Sequence, residues 1–170
     1  MRLLFRFRLV LFYIRSMNII IDNINTDLIY FNKPIPNKII HNSNFIRLGY
    51  SNHLMNLNSI CIQVHLFGLS SSLFSNKIKC ILNNPQNIIT LQNLITLEKK
   101  ILSLYSSKKK AIFDIHDKLI HKINFAVSHY KSQHFANKFT QLPANKTFIL
   151  NISGIWEDYN SFGLTFKFID

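Results

Sequence analysis

KTFILNISGIWE, at Lys146–Glu157, and FGLTFKFI, at Phe162–Ile169, are the two most regularly patterned stretches of this 170-residue chain. Apolar residues recur at every second position in both, which is the period of a β-strand with one buried face. The residues between them, Asp158–Ser161, are typical of a tight turn. We therefore predict a β-hairpin with an aromatic-rich inner face.

Strand parity predicts which side chains of this hairpin face the core. Trp156 has the parity of the buried residues, so we expect it in the core. Gly154 indicates a β-bulge or a close approach of two backbones. The predicted inward residues are Phe148, Leu150, Ile152 and Trp156 on the first strand, and Phe162, Leu164, Phe166 and Phe168 on the second.

Further short strands are predicted upstream of the hairpin. The clearest is Ser59–Phe67, in which every second residue from Ile60 to Leu66 is apolar. Phe45–Tyr50 alternates in the same way, with Ile46, Leu48 and Tyr50 facing inward. The remaining predicted strands are Met17–Asp22, Leu28–Phe31 and Lys77–Leu82, with turns or loops at Lys33–Lys38 and Gly68–Ser72.

Two helices are predicted in the middle of the chain. Ile88–Tyr105 has apolar residues at steps of three and four, the spacing of one helix face. Ile112–Phe125 contains a second, shorter helix, and the polar, His-rich Ser128–Lys138 is expected to be a mobile loop. The predicted inward residues are Ile88, Leu91, Leu94, Ile95, Leu102 and Tyr105 on the first helix, and Ile115, Leu119 and Ile123 on the second.

These elements indicate a single α+β domain over residues 17–170. Five or six short strands with one long and one short helix predict a small curled antiparallel sheet or an OB-like barrel. A different α+β sandwich is the alternative. Hydrophobic residues make up 48% of the chain, which excludes an intrinsically disordered protein and suffices for a packed core.

The chain is strongly basic, with 20 Lys and Arg against 8 Asp and Glu and a net charge of +12. A field of this sign favours polyanions, with nucleic acid first and an acidic membrane surface second. The abundance of Asn, Ile, Lys and Phe also indicates an AT-rich coding sequence. The alternative is therefore that the lysines reflect base composition alone.

Residues 1–16, MRLLFRFRLVLFYIRS, form a basic leader that differs from the rest of the chain. They contain four of the five arginines and no acidic residue, and their apolar runs are too short and interrupted for a membrane span. Three interpretations are open: a mitochondrial transit peptide, a membrane-surface helix, and an upstream extension of a reading frame that begins at Met17. The remaining residues are still strongly basic, so the argument from charge does not need the leader.

The two cysteines, Cys61 and Cys80, bear on the compartment. Two cysteines do not make a disulfide framework, so we expect an intracellular, reducing compartment. The nucleus or cytoplasm of a host cell fits this expectation, and a mitochondrion fits it if the leader is a transit peptide.

Patterns for catalysis or metal binding are weak. Four glycines exclude the usual Gly-rich phosphate loops, and the histidines lack the spacing of a structural zinc site. Asp114 and Asp117 beside His116 are better explained as acids in the first turn of a helix. We therefore predict no enzyme activity, no metal and no cofactor.

Basic and aromatic residues on predicted outward faces make up a candidate binding site. Proteins that bind single strands without sequence preference combine a basic groove with aromatic side chains on which bases stack. Lysines and Arg47 would neutralise phosphates, while Phe45, Phe67 and Tyr159 would stack. The candidate nucleic-acid-binding residues are Phe45, Arg47, Phe67, Lys77, Lys79, Lys108, Lys109, Lys110, Lys118, Lys122 and Tyr159.

The C-terminal hairpin carries a resemblance to a known family. It lies in Asn151–Glu157 (NISGIWE) followed by Gly163–Ile169 (GLTFKFI), which are similar to the closing hairpin of that family. The stretch resembles small OB-fold-like single-stranded-DNA-binding proteins of DNA viruses and virus-derived elements. Asn44–Tyr50 (NFIRLGY) and the helix around Leu97–Leu102 extend the resemblance to at most two thirds of the chain. The resemblance implies an OB-like fold and a role in replication or recombination, and it assigns no catalytic residue.

The sequence thus predicts sequence-tolerant binding of single-stranded DNA or RNA, with DNA favoured. The alternative is a structural or interaction protein, such as a virion or ribonucleoprotein component, whose basic charge is incidental. A membrane-surface or organelle protein led by residues 1–16 is a third interpretation. A membrane partner is expected only if those residues are retained, and a homo-oligomer is an open alternative.

Overall fold

A computed structural model describes most of the chain in six segments. The basic leader, residues 1–16, lies outside the described residues. For residues 18–19, 70–74, 77–81 and 125–133 the description concerns the backbone alone. The described segments are residues 18–19, 24–68, 70–74, 77–82, 84–133 and 145–169.

Strands dominate the described residues, and two α-helices accompany them. The strands are β1 (Asn18–Ile19), β2 (Ile29–Phe31), β3 (Ile35–Pro36), β4 (Asn44–Ser51), β5 (Asn56–Leu57), β6 (Ile60–Phe67), β7 (Ser70–Phe74), β8 (Lys77–Ile81), β9 (Lys110–Ile112), β10 (Asn145–Glu157) and β11 (Ser161–Ile169). The helices are α1 (Pro85–Leu104) and α2 (Ile115–Gln133), and a 3-10 turn at Thr26–Leu28 precedes β2.

The β10–β11 hairpin lies at the centre of the sheet and confirms the prediction made from its sequence. β10 pairs antiparallel with β11 along one edge. Along its other edge, Asn145–Ile152 pairs with β6 and Gly154–Glu157 pairs with β4. Because one strand serves two partners in succession, the sheet curls into an open half-barrel. The α+β class and the curled, OB-like sheet are therefore as predicted.

Shorter strands extend this sheet. β1 and β9 join in parallel to β6 and β11, while β2, β3 and β5 pair antiparallel with β4. β7 and β8 form a separate two-stranded sheet. The expectation of a loop at Gly68–Ser72 is wrong in part, because Ser70–Ser72 belongs to β7 and pairs with Lys79–Ile81. Backbone pairing with β8 holds this serine run in an extended strand.

One hydrophobic core joins the sheet to both helices. The inward faces of β4, β6 and α2 are as predicted, since the expected residues are at most 6% exposed. On β11, Phe162 and Leu164 are buried, while Phe166 and Phe168 pack at its margin. The buried residues of the three elements are Ile46, Leu48, Tyr50, Ile60, Ile62, Val64, Leu66, Ile115, Leu119 and Ile123.

Helix α1 begins earlier than predicted, and its first turns do not face the apolar core. The Asn84 side chain accepts a hydrogen bond from Gln86 N, and Pro85 occupies the first helical position. Ile88, which we expected inside, is 50% exposed. In this first turn of α1 the buried residue is Asn87. Its side-chain oxygen accepts a hydrogen bond from Phe67 N, and its side-chain nitrogen donates one to the carbonyl of Phe67. The first turn of α1 thus packs on a strand end through polar contacts.

Helix α2 is 19 residues long, so the prediction of a distinctly shorter second helix is wrong. It includes Ser128–Gln133, which we expected to belong to a mobile loop, and the rest of that stretch lies outside the described residues. A polar sequence can continue a helix because the backbone hydrogen bonds do not depend on side-chain polarity.

The buried carboxylate of Glu98 positions the start of α2. Glu98 lies on α1, is 1% exposed, and accepts hydrogen bonds from Asp114 N at 3.0 Å and Ile115 N at 3.3 Å. Burial raises the pKa of Glu98, against the effect of these backbone hydrogen bonds. The carboxylate satisfies helix N–H groups that have no partner within α2.

A β-bulge in β10 reverses the expected position of Trp156. The pairing with β11 shifts register between Ile152 and Gly154, so one extra residue, Ser153, changes the parity of the strand beyond it. Ile155 is therefore buried, and Trp156 turns to the opposite face and is only half-buried. The expectation that Trp156 belongs to the core is wrong for this reason.

Gly154 should tolerate no side chain. A Cβ there would collide with the carbonyl oxygen of Ile46 and lie 2.8 Å from Phe45 Cε2. We expect Gly154→Ala to lower the free energy of unfolding by about 1–3 kcal/mol, measured by urea denaturation followed by circular dichroism. Gly68→Asn is the matched control, because asparagine tolerates the φ of +58° found there and the surrounding space is open. Equal losses in both variants would contradict the close approach at Gly154.

Candidate functional site

A row of side chains crosses the outer face of the sheet, the face turned away from the core. Cross-strand pairing aligns Ile35 with Phe45, and Phe45 with Trp156. Directly paired residues have Cβ atoms about 5 Å apart on one face, so these side chains form a continuous apolar strip. Arg47 lies on the same face, with its guanidinium carbon 5.7 Å from the centroid of the Phe45 ring. This distance is typical of a cation–π contact.

The strip is the floor of a groove of about 540 Å³, a volume within the range of ligand sites. The loop 37–43, between β3 and β4, forms a wall and contributes Lys38, Ile39 and Ile40. Lys118 of α2 and Phe166 of β11 also line the groove. Three cations, Arg47 among them, therefore border it, and no acidic side chain of the described residues does so.

The loop 37–43 has an internal set of hydrogen bonds. The side-chain oxygen of Asn37 accepts from Ile39 N at 2.9 Å and from Ile40 N at 3.3 Å. Asn37 N donates to the carbonyl of Ser43 at 2.9 Å, and the Ser43 hydroxyl donates to the carbonyl of Ile40. Asn42 adopts a positive φ of 56°, which asparagine tolerates. These contacts favour a single conformation of the wall.

Two aromatic rings of the groove lie against glycines. Phe45 covers Gly154, and a Cβ at Gly163 would lie 2.9 Å from Trp156 Nε1. Because these glycines leave room for the rings, the sheet itself positions Phe45 and Trp156. Rings held in place need little reorganisation before a planar ligand contacts them, which favours binding.

A cluster of polar groups lies where β10 ends. The Glu157 carboxylate accepts hydrogen bonds from the Tyr105 hydroxyl at 3.0 Å and the Ser107 hydroxyl at 2.9 Å, and it lies 3.4 Å from Lys109 Nζ. Partial burial would raise the pKa of Glu157, but the hydrogen bonds from Ser107 and Tyr105 and the charge of Lys109 lower it overall. Burial and the contact with Glu157 raise the pKa of Tyr105 to about 12. The cluster ties the loop after α1 to the hairpin.

The turn of the hairpin is held by Asp158. Its carboxylate accepts from the backbone N–H groups of Asn160 at 2.8 Å and Ser161 at 2.7 Å, and these bonds lower the pKa of Asp158. Lys109 Nζ also donates to the carbonyl of Asp158 at 2.6 Å. The charge of Lys109 is thus directed to the hairpin rather than to the groove.

The structure brings some of the predicted contact residues together. Phe45 and Arg47 lie side by side on the outer face, as their parity predicts, and Lys118 reaches the groove while pairing with Asp114. Lys108 and Lys110 are exposed in the loop before β9 and at its start, and Lys110 N bonds the carbonyl of Asn160 in the hairpin turn. This turn carries Tyr159, so these residues lie near one end of the groove.

Other predicted contact residues lie elsewhere. Phe67 pairs with Asn145 at the opposite end of β10 from Trp156, which puts about 35 Å of strand between them. Lys122 is one helical turn beyond Lys118 on α2. Lys77 and Lys79 lie on β8 of the separate two-stranded sheet, and their side chains are outside the described part of the structure.

Candidate acids and histidines do not converge. Within the described segments no three His, Cys, Asp or Glu side chains are placed to hold a metal ion. His116 Nδ1 lies 3.1 Å from Oδ1 of its neighbour Asp117, and Glu98 is engaged with the start of α2. Neither described helix is long and apolar enough to cross a membrane.

Sequence reasoning missed Trp156 and Lys38 as groove residues. Strict alternation continued across the bulge predicts Trp156 in the core, although Gly154 indicates an irregularity there. Lys38 lies in a stretch whose prolines predict only a turn, and nothing in the sequence near it indicates that the loop overhangs β4.

Comparison with protein-family models, with curated proteins and with solved structures finds no match to this chain.

Trp156, the single tryptophan, reports on its own exposure. Because it faces the groove, we expect acrylamide to quench its fluorescence readily in the folded protein, as for a partly exposed indole. The protein in 6 M guanidinium gives the upper limit of quenching. Emission that is blue-shifted and resistant to acrylamide would place Trp156 in the core and contradict the register shift.

Glu157 should make stability depend on pH. A lowered pKa in the folded state means that the stabilisation is present above the ordinary value of 4.5 and is lost as the pH falls through the lowered value. We expect Glu157→Gln to reduce the free energy of unfolding by about 1–2 kcal/mol at neutral pH, with the difference shrinking at acidic pH. Asp117→Asn, at an exposed carboxylate in the first turn of α2, should change it by less than about 1 kcal/mol. A difference for Glu157→Gln that grows as the pH falls would refute this assignment.

Proposed function

We propose that this protein binds single-stranded nucleic acid, with DNA favoured, in the groove floored by Phe45 and Trp156. The observation that carries the proposal is the arrangement of two adjacent aromatic side chains and Arg47 in a groove bordered by cations. Proteins that bind single strands without sequence preference combine these two components.

The aromatic floor would supply most of the affinity that does not depend on salt. Every nucleobase has a π face, so stacking on Phe45 or Trp156 would discriminate little between sequences. Bases of a duplex are already stacked on each other, and the same floor would therefore contribute much less to duplex binding. Both points favour a sequence-tolerant, single-strand-selective protein.

The cations would act on the phosphates. Lys38, Arg47 and Lys118 border the groove, and each phosphate contact releases counterions and gives salt-dependent affinity. Lys108 and Lys110 lie beyond one end of the groove and would attract the continuing strand. The net charge of +12 adds a long-range attraction for any polyanion.

A protein with this property would support replication or recombination by covering exposed strands. No chemical step is required of it, and we propose that it works in a reducing, intracellular compartment.

A structural or interaction protein would instead bind a protein partner and show little affinity for free strands. Binding of oligonucleotides at low salt distinguishes the two.

Phe45→Leu tests the stacking platform. Leucine keeps an apolar side chain over Gly154 but has no π face. We expect affinity for a single-stranded oligonucleotide to fall by roughly 5- to 150-fold, corresponding to about 1–3 kcal/mol per stacked base. Fluorescence anisotropy with labelled oligonucleotides over a salt series measures this affinity.

Arg47→Gln tests the phosphate contact in the same titrations. This variant should reduce the slope of log affinity against log salt concentration by about 1.

Phe67→Leu is the matched aromatic control, since Phe67 is an exposed phenylalanine at the far end of the sheet. We expect its affinity to equal that of the unmodified protein. Equal losses for the two phenylalanine variants would exclude the groove as the binding site. A complete lack of oligonucleotide binding at low salt, where electrostatic attraction is strongest, would refute the proposed function.

A further inference from the structure

Three side chains are the most exposed large hydrophobics of the described residues: Ile39 at 88%, Tyr159 at 87% and Leu54 at 77%. All three lie in turns held by the side chain of an asparagine or aspartate. Asn52 accepts from Leu54 N at 2.9 Å, as Asn37 does from Ile39 N and Asp158 from the two residues after Tyr159. Ordered turns that expose apolar side chains are unusual, because turns favour polar residues.

Ile39 and Tyr159 lie at the same end of the sheet. Pro36 pairs with Asn44, and Asn44 pairs with Glu157, so the loop 37–43 and the hairpin turn leave neighbouring strands at one level. The centres of the two hairpins are two strand spacings apart, about 10 Å. Leu54 lies beyond the other end of β4, about 20 Å away along the strand.

This end of the sheet, which we call the tip, is also basic and adjoins the groove. Phe45 and Trp156 are only one residue in from the Asn44–Glu157 pair, and Ile39 is part of the groove wall. Lys38, Lys108 and Lys110 are exposed at the tip. Four lysines at the tip, Lys109 included, outnumber the carboxylates of Glu157 and Asp158, so the net charge there is positive.

We propose that the tip stacks on the end of a nucleic-acid duplex whose single-stranded tail enters the groove, so that the protein recognises a junction between single and double strand. The inference rests on the proposed function. Apolar side chains such as isoleucine act as wedges against base steps in proteins that contact duplex DNA, and an exposed tyrosine ring can stack on a base. Two such side chains, carried on hairpins whose centres are about 10 Å apart, would cover one terminal base pair, and the three lysines would face its phosphates.

Both turns are fixed in conformation, which supports a rigid wedge rather than a flexible contact. In the turns that carry Ile39 and Tyr159, the Asn37 side chain accepts from Ile39 N, and the Asp158 carboxylate accepts from Asn160 N and Ser161 N. Little backbone freedom is therefore lost when a base pair packs on these turns. The tail then continues directly onto Phe45 and Trp156 without a gap. A protein that bound single strands in the groove alone would not require exposed apolar residues beyond the end of the groove.

The test compares the full chain with a variant carrying Ile39→Asn and Tyr159→Ser. Both substitutions are at exposed side chains, and the hydrogen bonds of both turns join backbone N–H groups to the side chains of Asn37 and Asp158, which remain. The ligands are a single strand, a blunt duplex, and a duplex with a single-stranded tail of either polarity, all followed by anisotropy. We expect the unmodified protein to bind one tailed duplex at least about five-fold more tightly than the single strand, as one added stacking contact would provide.

The double variant should bind the tailed duplex and the single strand equally well. Because Ile39 also lines the groove, the readout is the ratio of these two affinities rather than either affinity alone. Leu54→Asn is the matched control, since it removes an equally exposed residue from the same kind of turn at the other end of β4, and it should keep the preference. A 2-aminopurine in the terminal base pair should change fluorescence on binding to the unmodified protein and not on binding to the double variant.

Several results would overturn the inference. If the unmodified protein binds single strands but shows no preference for a tailed duplex, the inference fails and the proposed function stands. If neither ligand binds, both fail. If Leu54→Asn abolishes the preference as fully as the double variant, the tip is not the cause. Sedimentation with anionic lipid vesicles that depends on Ile39 and Tyr159, without any junction preference, would assign the tip to a membrane surface instead.

Discussion

The change of partner along β10 is the constraint on which the rest of the structure depends. One strand pairs with β6 over its first half and with β4 over its second, and the bulge at Ser153 lies between the two halves. The close approach of Gly154 to the backbone of Ile46 makes this possible, since no other residue fits there. The same bulge curls the sheet around its core and turns Trp156 outward beside Phe45. A single irregularity thus produces both the half-barrel and the floor of the groove.

Stability and the proposed binding share the same aromatic side chains. Phe45 and Trp156 cover glycines on the outer face, so part of each ring already contributes to the packing of strands on one another. Such rings offer a preorganised surface at low entropic cost. The consequence is that replacing them tests binding cleanly only when the new side chain still covers the glycine, which is why leucine is preferable to alanine at Phe45.

The basic residues divide into three groups: one stabilises the hairpin, one borders the groove and one is exposed at the tip. Lys109 is held between Glu157 and the carbonyl of Asp158 and stabilises the hairpin. Lys38 and Arg47 border the groove, whereas Lys108 and Lys110 are exposed at the tip. The high net charge by itself does not separate these roles, since the separation depends on which carboxylates the fold brings near each lysine.

The sequence by itself determined the α+β class, the hairpin, the inward faces of β4 and β6, and the shared face of Phe45 and Arg47, because strand and helix periods are local properties of the chain. Tertiary structure decided the rest. The outward position of Trp156 depends on a one-residue bulge. The exposure of Ile88 depends on where α1 crosses the sheet. The helical state of Ser128–Gln133 depends on backbone hydrogen bonds, which side-chain polarity does not reveal. The groove itself joins loop 37–43, β4, β10 and α2, which are distant in sequence, and only the curvature of the sheet brings them to one place.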